Sequence, residues 1–198
     1  MEALFQGRFQ PPTIAHMCTV ETILAHWQSL VICVIYNSPK PEWFDPRWDS
    51  YINESARTSY APGKNPFTSD EVKEMWDAAI HSRNLYGRIQ CATSKRPYFD
   101  KEFHVKYPPE RFTLIRTHSG DSDTTIDRVR GDIFPELLGR GFVVVKPPFK
   151  LHNTEIAKKV LKGGSTWKEF LPTGAYEVFL HIKGPERMEE AYKVRSKG

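Results

Sequence analysis

The sequence predicts an α/β protein built on a doubly wound, mostly parallel sheet, and three observations carry that expectation. Two continuous apolar runs, 30–36 (Leu-Val-Ile-Cys-Val-Ile-Tyr) and 142–145 (Phe-Val-Val-Val), have the β-branched composition of strands buried on both faces. Capped helical stretches alternate with strand candidates, a rhythm that places ligands at the carboxyl ends of the strands. Residues 7–16, Gly-Arg-Phe-Gln-Pro-Pro-Thr-Ile-Ala-His, join the short apolar run Ala3-Leu4-Phe5 to the amphipathic segment Met17–Trp27. A strand, a Gly/Pro-rich turn and a helix start thus fall within about fifteen residues, the layout of a nucleotide-binding α/β unit.

Further along, 86–92 and 112–117 (Phe-Thr-Leu-Ile-Arg-Thr) are weaker strand candidates. One helix is expected from about Thr68 to His81, with Thr68 or Ser69 as cap and Asp70 and Glu71 in its first turn. A second covers about 124–138, and a third starts at Asn153-Thr154 and ends at Gly163-Gly164. The tail reads as short helices at Trp167–Leu171, 174–183 and Pro185–Val194, the last with proline at its first position. Two stretches break the rhythm. Residues 37–64 hold four prolines and two tryptophans, and 93–111 are rich in Lys, Arg, Pro and aromatics. Connections this long are lids, binding loops or oligomer contacts.

At 198 residues the chain suits one α/β domain over 1–198, with the sheet core in 1–150 and a helical part in 151–198. A net charge of +4 fits anionic small molecules, and no recognisable nucleic-acid module accompanies it, so nucleic acid is not an expected partner. Cys18, Cys33 and Cys91, an odd count without CxxC spacing, point to buried thiols in a reducing compartment rather than disulfides or zinc. The N-terminus carries no signal-peptide pattern, and the longest apolar run, Leu30–Tyr36, is too short to span a bilayer. The expected location is cytoplasmic, without a membrane partner.

Thr13 and His16 stand three apart at the mouth of the first helix, where unpaired N–H groups and the helix dipole favour phosphate. A histidine there can donate to phosphate oxygens as charge builds on them. Lys40 follows the second strand, near the ligand end of the sheet, and suits either substrate binding or plain loop charge. Asp121 and Asp123 follow the fourth strand, where ribose or metal contacts and ordinary turn chemistry are equal explanations. Trp43, Trp48, Phe67, Trp76 and Tyr98 are candidate stacking partners for a base; Trp76, inside a helix, reads better as core and Phe67 has the stronger claim. The other histidines show no metal-ligand spacing.

Residues 7–16 resemble the signature of the nucleotidyltransferase superfamily, GxFxPxHxGH with Thr often replacing the first His. Gly7, Phe9, Pro11, Thr13 and His16 match, and Ala15 replaces the second glycine. Several ordered pieces resemble one branch, the archaeal-type nicotinamide mononucleotide adenylyltransferases. Asn65-Pro-Phe-Thr-Ser-Asp-Glu is similar to its NPFTxxER segment. Lys146-Pro-Pro-Phe with Asn153-Thr-Glu-Ile is similar to PPLF…SGTEIR. Trp167…Leu171-Pro172 and Ile182-Lys-Gly-Pro-Glu-Arg-Met are similar to the C-terminal W…LVP and IxGxxR pieces. The chain departs from the pattern where the ER arginine falls on Val72 and the arginine ending TEIR falls on Ala157. Thr117-His-Ser-Gly-Asp more faintly resembles the GHxKD segment of related enzymes that carry an extra hydrolase domain.

The resemblance implies a Rossmann-like nucleotidyltransferase fold and AMP transfer from ATP to nicotinamide mononucleotide, giving NAD and pyrophosphate. In that reading His16 serves the α-phosphate, Thr13 adds a hydroxyl donor and Arg8 holds the triphosphate. Gly7, Phe9, Gln10, Asn153, Thr154 and Lys158 surround ATP, with Asn153 and Thr154 capping a helix that takes the β- and γ-phosphates. Phe67 and Thr68 join Lys40 and Asp121 on the acceptor side. Mg²⁺ is expected to arrive with ATP, with no protein ligands named, and relatives suggest a homo-oligomer. Two other readings remain open: a nucleotidyltransferase with another acceptor or base, and a nucleotide-binding module without catalysis.

Overall fold

The computed structural model of the chain describes residues 1–36, 63–95, 101–117, 141–147, 149, 151, 153–163 and 165–195, with the backbone alone at 95, 101, 153, 154 and 195. Five strands, β1 (Glu2–Gly7), β2 (Leu30–Tyr36), β3 (Ile89–Lys95), β4 (Phe112–Thr117) and β5 (Phe142–Val145), form one sheet in the order β3-β2-β1-β4-β5. Every neighbouring pair runs parallel. The helices are α1 (Ile14–Leu24), α2 (Ser69–Ser82), α3 (Lys101–Lys106), α4 (Asn153–Leu161), α5 (Thr173–His181) and α6 (Gly184–Arg195), with a 3₁₀ turn at Thr166–Phe170. This is a doubly wound, Rossmann-like arrangement.

Register shows why β1 is central. Leu4 lies opposite both Val31 and Leu114, and Phe5 opposite both Ile32 and Ile115. Side chains alternate across a strand, so Ala3 and Phe5 face one layer and Leu4 the other. The first layer is the main core: Ala3, Phe5, Ile32 and Val34 meet Met17, Val20 and Ile23 of α1, Val72, Met75 and Trp76 of α2, and Phe179 of α5. On the second face Leu4, Val31, Cys33 and Leu114 are also buried. There Tyr107, just after α3, sets its ring 5.2 Å from that of Phe112 and 4.8 Å from that of Phe103. Both faces of the sheet are therefore covered, as all-parallel sheets require.

The strand order reverses direction beside β1: the chain runs outward to β2 and β3, then returns to β4 on the other side. Such a switch point opens a crevice at the carboxyl ends of the strands. The loop that leaves β1 at Gly7 enters it.

Three expectations needed adjustment. β5 is not buried on both faces, because it is an edge strand; Val143 is 40% and Val144 53% exposed. The third strand begins three residues later than 86 and extends to Lys95, because 86–88 form a turn instead. The stretch 93–111 contains the short helix α3 rather than only a connection. The expected helix over 124–138, and Lys40, Asp121, Asp123, Trp43, Trp48 and Tyr98, lie outside the described residues. No helix among the described residues is long and apolar enough to cross a membrane.

Helix α5 packs against α2 through Gly174, where an added Cβ would stand 2.1 Å from the carbonyl oxygen of Ala78. Backbone cannot yield as a flexible side chain does, so this close approach requires glycine. Gly174→Ala is expected to lower the free energy of unfolding by about 2 kcal/mol or more in urea titration. An unchanged midpoint would contradict the packing described.

Candidate active site

The turn after β1 owes its shape to one aromatic ring. Phe9 has φ of 46°, the left-handed region that non-glycine residues avoid at a cost of roughly 1–2 kcal/mol. Its ring folds back over Gly7, where a Cβ would meet the ring's Cζ at 2.7 Å, so only glycine fits beneath it. The ring is 5% exposed and makes three edge-on contacts, with Phe5 at 5.3 Å, His16 at 5.1 Å and Trp76 at 5.1 Å. Contacts of this kind contribute roughly 0.5–1.5 kcal/mol each beyond the area they bury, which outweighs the backbone strain. A cis Gln10–Pro11 bond follows, and the chain enters α1 at Thr13.

Thr13 and His16 cap α1 reciprocally. The Thr13 Oγ1 accepts the His16 backbone N–H at 3.3 Å, and the Thr13 backbone N–H donates to His16 Nδ1 at 3.1 Å. This is a capping box in which histidine occupies the place usually taken by Glu or Gln. Two consequences follow for the imidazole. Because Nδ1 is an acceptor, the neutral ring carries its proton on Nε2. Burial against the Phe9 ring pushes the pKa down from the ordinary 6.5 to about 4, even though the residue keeps some exposed surface. His16 is therefore a neutral Nε2–H donor near pH 7. Among the described residues no hydrogen-bond partner takes that Nε2–H, or the backbone N–H groups of Ile14 and Ala15. His16 and the first N–H groups of α1 belong to one helix N-terminus, the kind of helix end that favours phosphate oxygens.

The signature loop is also fastened to residues 65–68. Gln10, 6% exposed, uses its amide on both backbone groups of Phe67: its Nε2 donates to the Phe67 carbonyl at 3.0 Å and its Oε1 accepts the Phe67 N–H at 2.9 Å. Arg8 Nη1 donates to Asn65 Oδ1 at 3.2 Å. Thr68 then caps α2, accepting the Glu71 N–H at 3.2 Å while its own N–H donates to Glu71 Oε2 at 2.7 Å.

Several predicted site residues thus meet: Gly7, Arg8, Phe9, Gln10, Thr13 and His16 in one loop, with Phe67 and Thr68 tied to it. Their roles differ from a simple ligand shell. The Thr13 hydroxyl is turned to His16, with Oγ1 3.0 Å from Nδ1, and Thr13 is fully buried. Phe67 is 4% exposed, its ring packed 5.5 Å from that of Phe179, so it offers no open face for stacking. Trp76 is wholly buried and belongs to the core. Asn153 and Thr154 open α4 itself, in its first turn rather than ahead of it, eight residues or more after β5 ends at the carboxyl edge. Lys158 is exposed on that helix. Glu71 and Arg187 are the contributors that sequence reasoning missed. Glu71 appeared only as a first-turn charge and a motif letter, and Arg187 only as a motif letter.

The two missing arginines are core positions. Val72 is 0% and Ala157 1% exposed, both in the main hydrophobic cluster. Elsewhere, an open depression of about 950 Å³ lies at the opposite, amino edge of the sheet. Its Arg111 pairs with Glu2, and its Arg88 caps backbone carbonyls of Leu24, Trp27 and Gln28. Those cations are occupied by the fold.

No protein-family model matches the chain. It is similar over nearly its whole length to archaeal proteins named nicotinamide-nucleotide adenylyltransferase. One from Thermococcus onnurineus is 28% identical over 192 residues, covering 94% of this chain and 86% of the relative. One from Pyrococcus horikoshii is 28% identical over 198 residues, covering 95% and 87%. One from Sulfolobus acidocaldarius, numbered 1, is 23% identical and covers 98% and 97%. Among solved structures, the chain superposes with a TM-score of 0.62 and 14% identity on a bifunctional NMN adenylyltransferase/ADP ribose pyrophosphatase from Francisella tularensis complexed with AMP and Mn ion. That match covers 96% of this chain and 51% of the bifunctional one, so the chain spans about half its length.

The buried, neutral state of His16 sets a pH dependence. The unfolded chain takes up a proton at His16 as pH falls below about 6.5, while the folded one does so only near 4. The contribution is full above 6.5 and is lost as pH falls toward 4. In denaturant titrations across that window, His16→Gln is expected to flatten the decline of stability; an equally steep decline would contradict the burial. Val72→Arg, which would restore the letter of the motif, is expected to destabilise the fold by about 3 kcal/mol or more, because it buries an unpaired charge. Thermal melting checks it.

Proposed function

We propose that this chain is a nucleotidyltransferase that transfers AMP from ATP to nicotinamide mononucleotide, forming NAD and releasing pyrophosphate. The observation that carries the reading is the Thr13–His16 capping box, which leaves a neutral Nε2–H on His16 at the N-terminus of α1, after the central strand of a doubly wound parallel sheet. The names of the archaeal relatives supply the substrates.

The reaction needs no covalent intermediate. The acceptor's phosphate oxygen attacks the α-phosphorus in line, the bond from that phosphorus to the bridging oxygen breaks, and pyrophosphate leaves. The protein must hold two anions together and stabilise charge on the equatorial oxygens of the transition state. A neutral Nε2–H suits this task, because it strengthens its hydrogen bond as negative charge grows without first attracting a proton. Thr13 keeps that ring in one tautomer and one orientation. In this reading the N-terminus of α4, at Asn153 and Thr154, takes the β- and γ-phosphates, as a helix N-terminus favours anions.

Mg²⁺, expected to arrive with ATP, would supply charge neutralisation at the phosphates. Among the described residues no group of three His, Cys, Asp or Glu side chains stands ready to hold a metal ion. The reading of a changed acceptor draws on one observation: the helix position where relatives carry the ER arginine is here an apolar core residue, Val72.

Purified protein with ATP, Mg²⁺ and nicotinamide mononucleotide is expected to release pyrophosphate and form NAD in equal amounts. His16→Ala should lower kcat by roughly 10²–10³-fold, as loss of a donor to a charged transition state does elsewhere. Pyrophosphate without NAD across a panel of phosphomonoesters would select the changed-acceptor reading. Triphosphate binding seen by thermal shift, with no pyrophosphate under any acceptor, would overturn both.

A further inference from the structure

The C-terminal helix reaches back to the candidate site through a single side chain. Helix α6 begins at Gly184, where a Cβ would stand 2.5 Å from the ring of Phe179, so the glycine lets the helix start directly against that ring. Phe179 is fully buried and also packs on Phe67. One turn further on, Arg187 lies over the Phe67 ring, its guanidinium carbon 5.1 Å from the ring centre. Its Nη1 donates to Glu71 Oε1 and its Nη2 to the backbone carbonyl of Pro66, each at 2.5 Å.

Residues 65–68 are therefore held from two sides. Arg8 and Gln10 grip Asn65 and Phe67 from the signature loop, while Arg187 grips Pro66, Phe67 and Glu71 from α6. The same Glu71 accepts the Thr68 N–H through its second oxygen, so one carboxylate links the cap of α2 to the arginine. The Arg187 charge is matched by Glu71, whose own carboxyl the guanidinium holds below the usual carboxylate range. A matched, planar fork with two short bonds fixes geometry rather than attracting a free anion.

We propose that Arg187 is a positioning residue for acceptor binding: through Pro66, Phe67 and Glu71 it sets the segment 65–68 against the signature loop, so that the acceptor nucleotide meets the α-phosphate in line. This rests on the transferase reading above. Both terminal nitrogens of Arg187 are engaged within the protein, by Glu71 and by the Pro66 carbonyl. In that reading Phe67 and Thr68 stand on the acceptor side, and the Thr13–His16 cap is made within the β1–α1 turn without Arg187. A misplacement of about 1 Å there is enough to cost a large factor in productive encounter.

Arg187→Met keeps the chain length over Phe67 and removes both hydrogen bonds. It is expected to raise KM for nicotinamide mononucleotide roughly tenfold, while KM for ATP stays within about twofold. Arg187→Lys should not restore the acceptor KM, since an ammonium cannot span Glu71 and the Pro66 carbonyl in one plane. Glu71→Gln, which retains a cap acceptor for Thr68, should move the acceptor KM in the same direction and serves as the second test if Arg187→Met is unstable. Equal rises in both KM values, or rescue by lysine, would overturn the proposal. A parallel hydrogen-exchange measurement separates it from the transferase reading. Faster exchange of the Phe67 and Thr68 amides in Arg187→Met supports the clamp even if the wild-type protein makes no NAD, and unchanged exchange refutes it.

Discussion

The carboxyl edge of this sheet depends on the ring of Phe9 lying over a residue that has no side chain. Gly7 ends the central strand, and the ring occupies the space a Cβ would need. That placement commits Phe9 to a left-handed backbone, turns the loop and brings Gln10 to Phe67 and Thr13 to the start of α1. Phe9 also forms one wall of His16 and touches Trp76 in α2. A single buried side chain thus determines the conformation of the turn, the environment of the imidazole and the contact between two helices. Strain at the turn is held by packing against Phe5, His16 and Trp76.

From this constraint the electrostatics follow. His16 is locked by Thr13 as part of a helix cap, and capping contributes about 1 kcal/mol to the fold. The same two bonds select the tautomer. Stability and chemistry therefore draw on one arrangement, and the imidazole stays neutral because both burial and the Thr13 N–H oppose a second proton. Helix α1 leaves its Ile14 and Ala15 N–H groups beside it. The strand order then places this donor set where parallel sheets bind nucleotides, so fold and site share a single cause in the reversal beside β1.

Much of this was legible in the amino-acid sequence, and the limits have physical reasons. Strands β2, β4 and β5 coincide with their apolar runs, and the Thr68 cap of α2 was visible because capping residues act locally. The exposure of β5 was not legible, since an edge strand and a central one share a β-branched composition until the strand order is known. Thr13 and His16 could be singled out by spacing, yet their mutual hydrogen bonds, and so the tautomer, depend on the turn that precedes them. The amide of Gln10 reads as a polar group free for a ligand; only its partner 57 residues away shows that it is engaged. Val72 and Ala157 read as lost arginines, whereas their burial makes them part of the core. Arg187 escaped notice for the same reason: its partners lie 116 and 121 residues earlier, and no local pattern announces them.

The central claim is that His16 works as a neutral Nε2–H donor held by Thr13. Nitrogen NMR of ring-labelled protein near pH 6, with His16 assigned by its loss in His16→Gln, reads this directly. The account predicts a protonated Nε2, an unprotonated Nδ1, and no titration of this ring until the pH falls toward about 4. A ring protonated on Nδ1, or one titrating near 6.5, would contradict it.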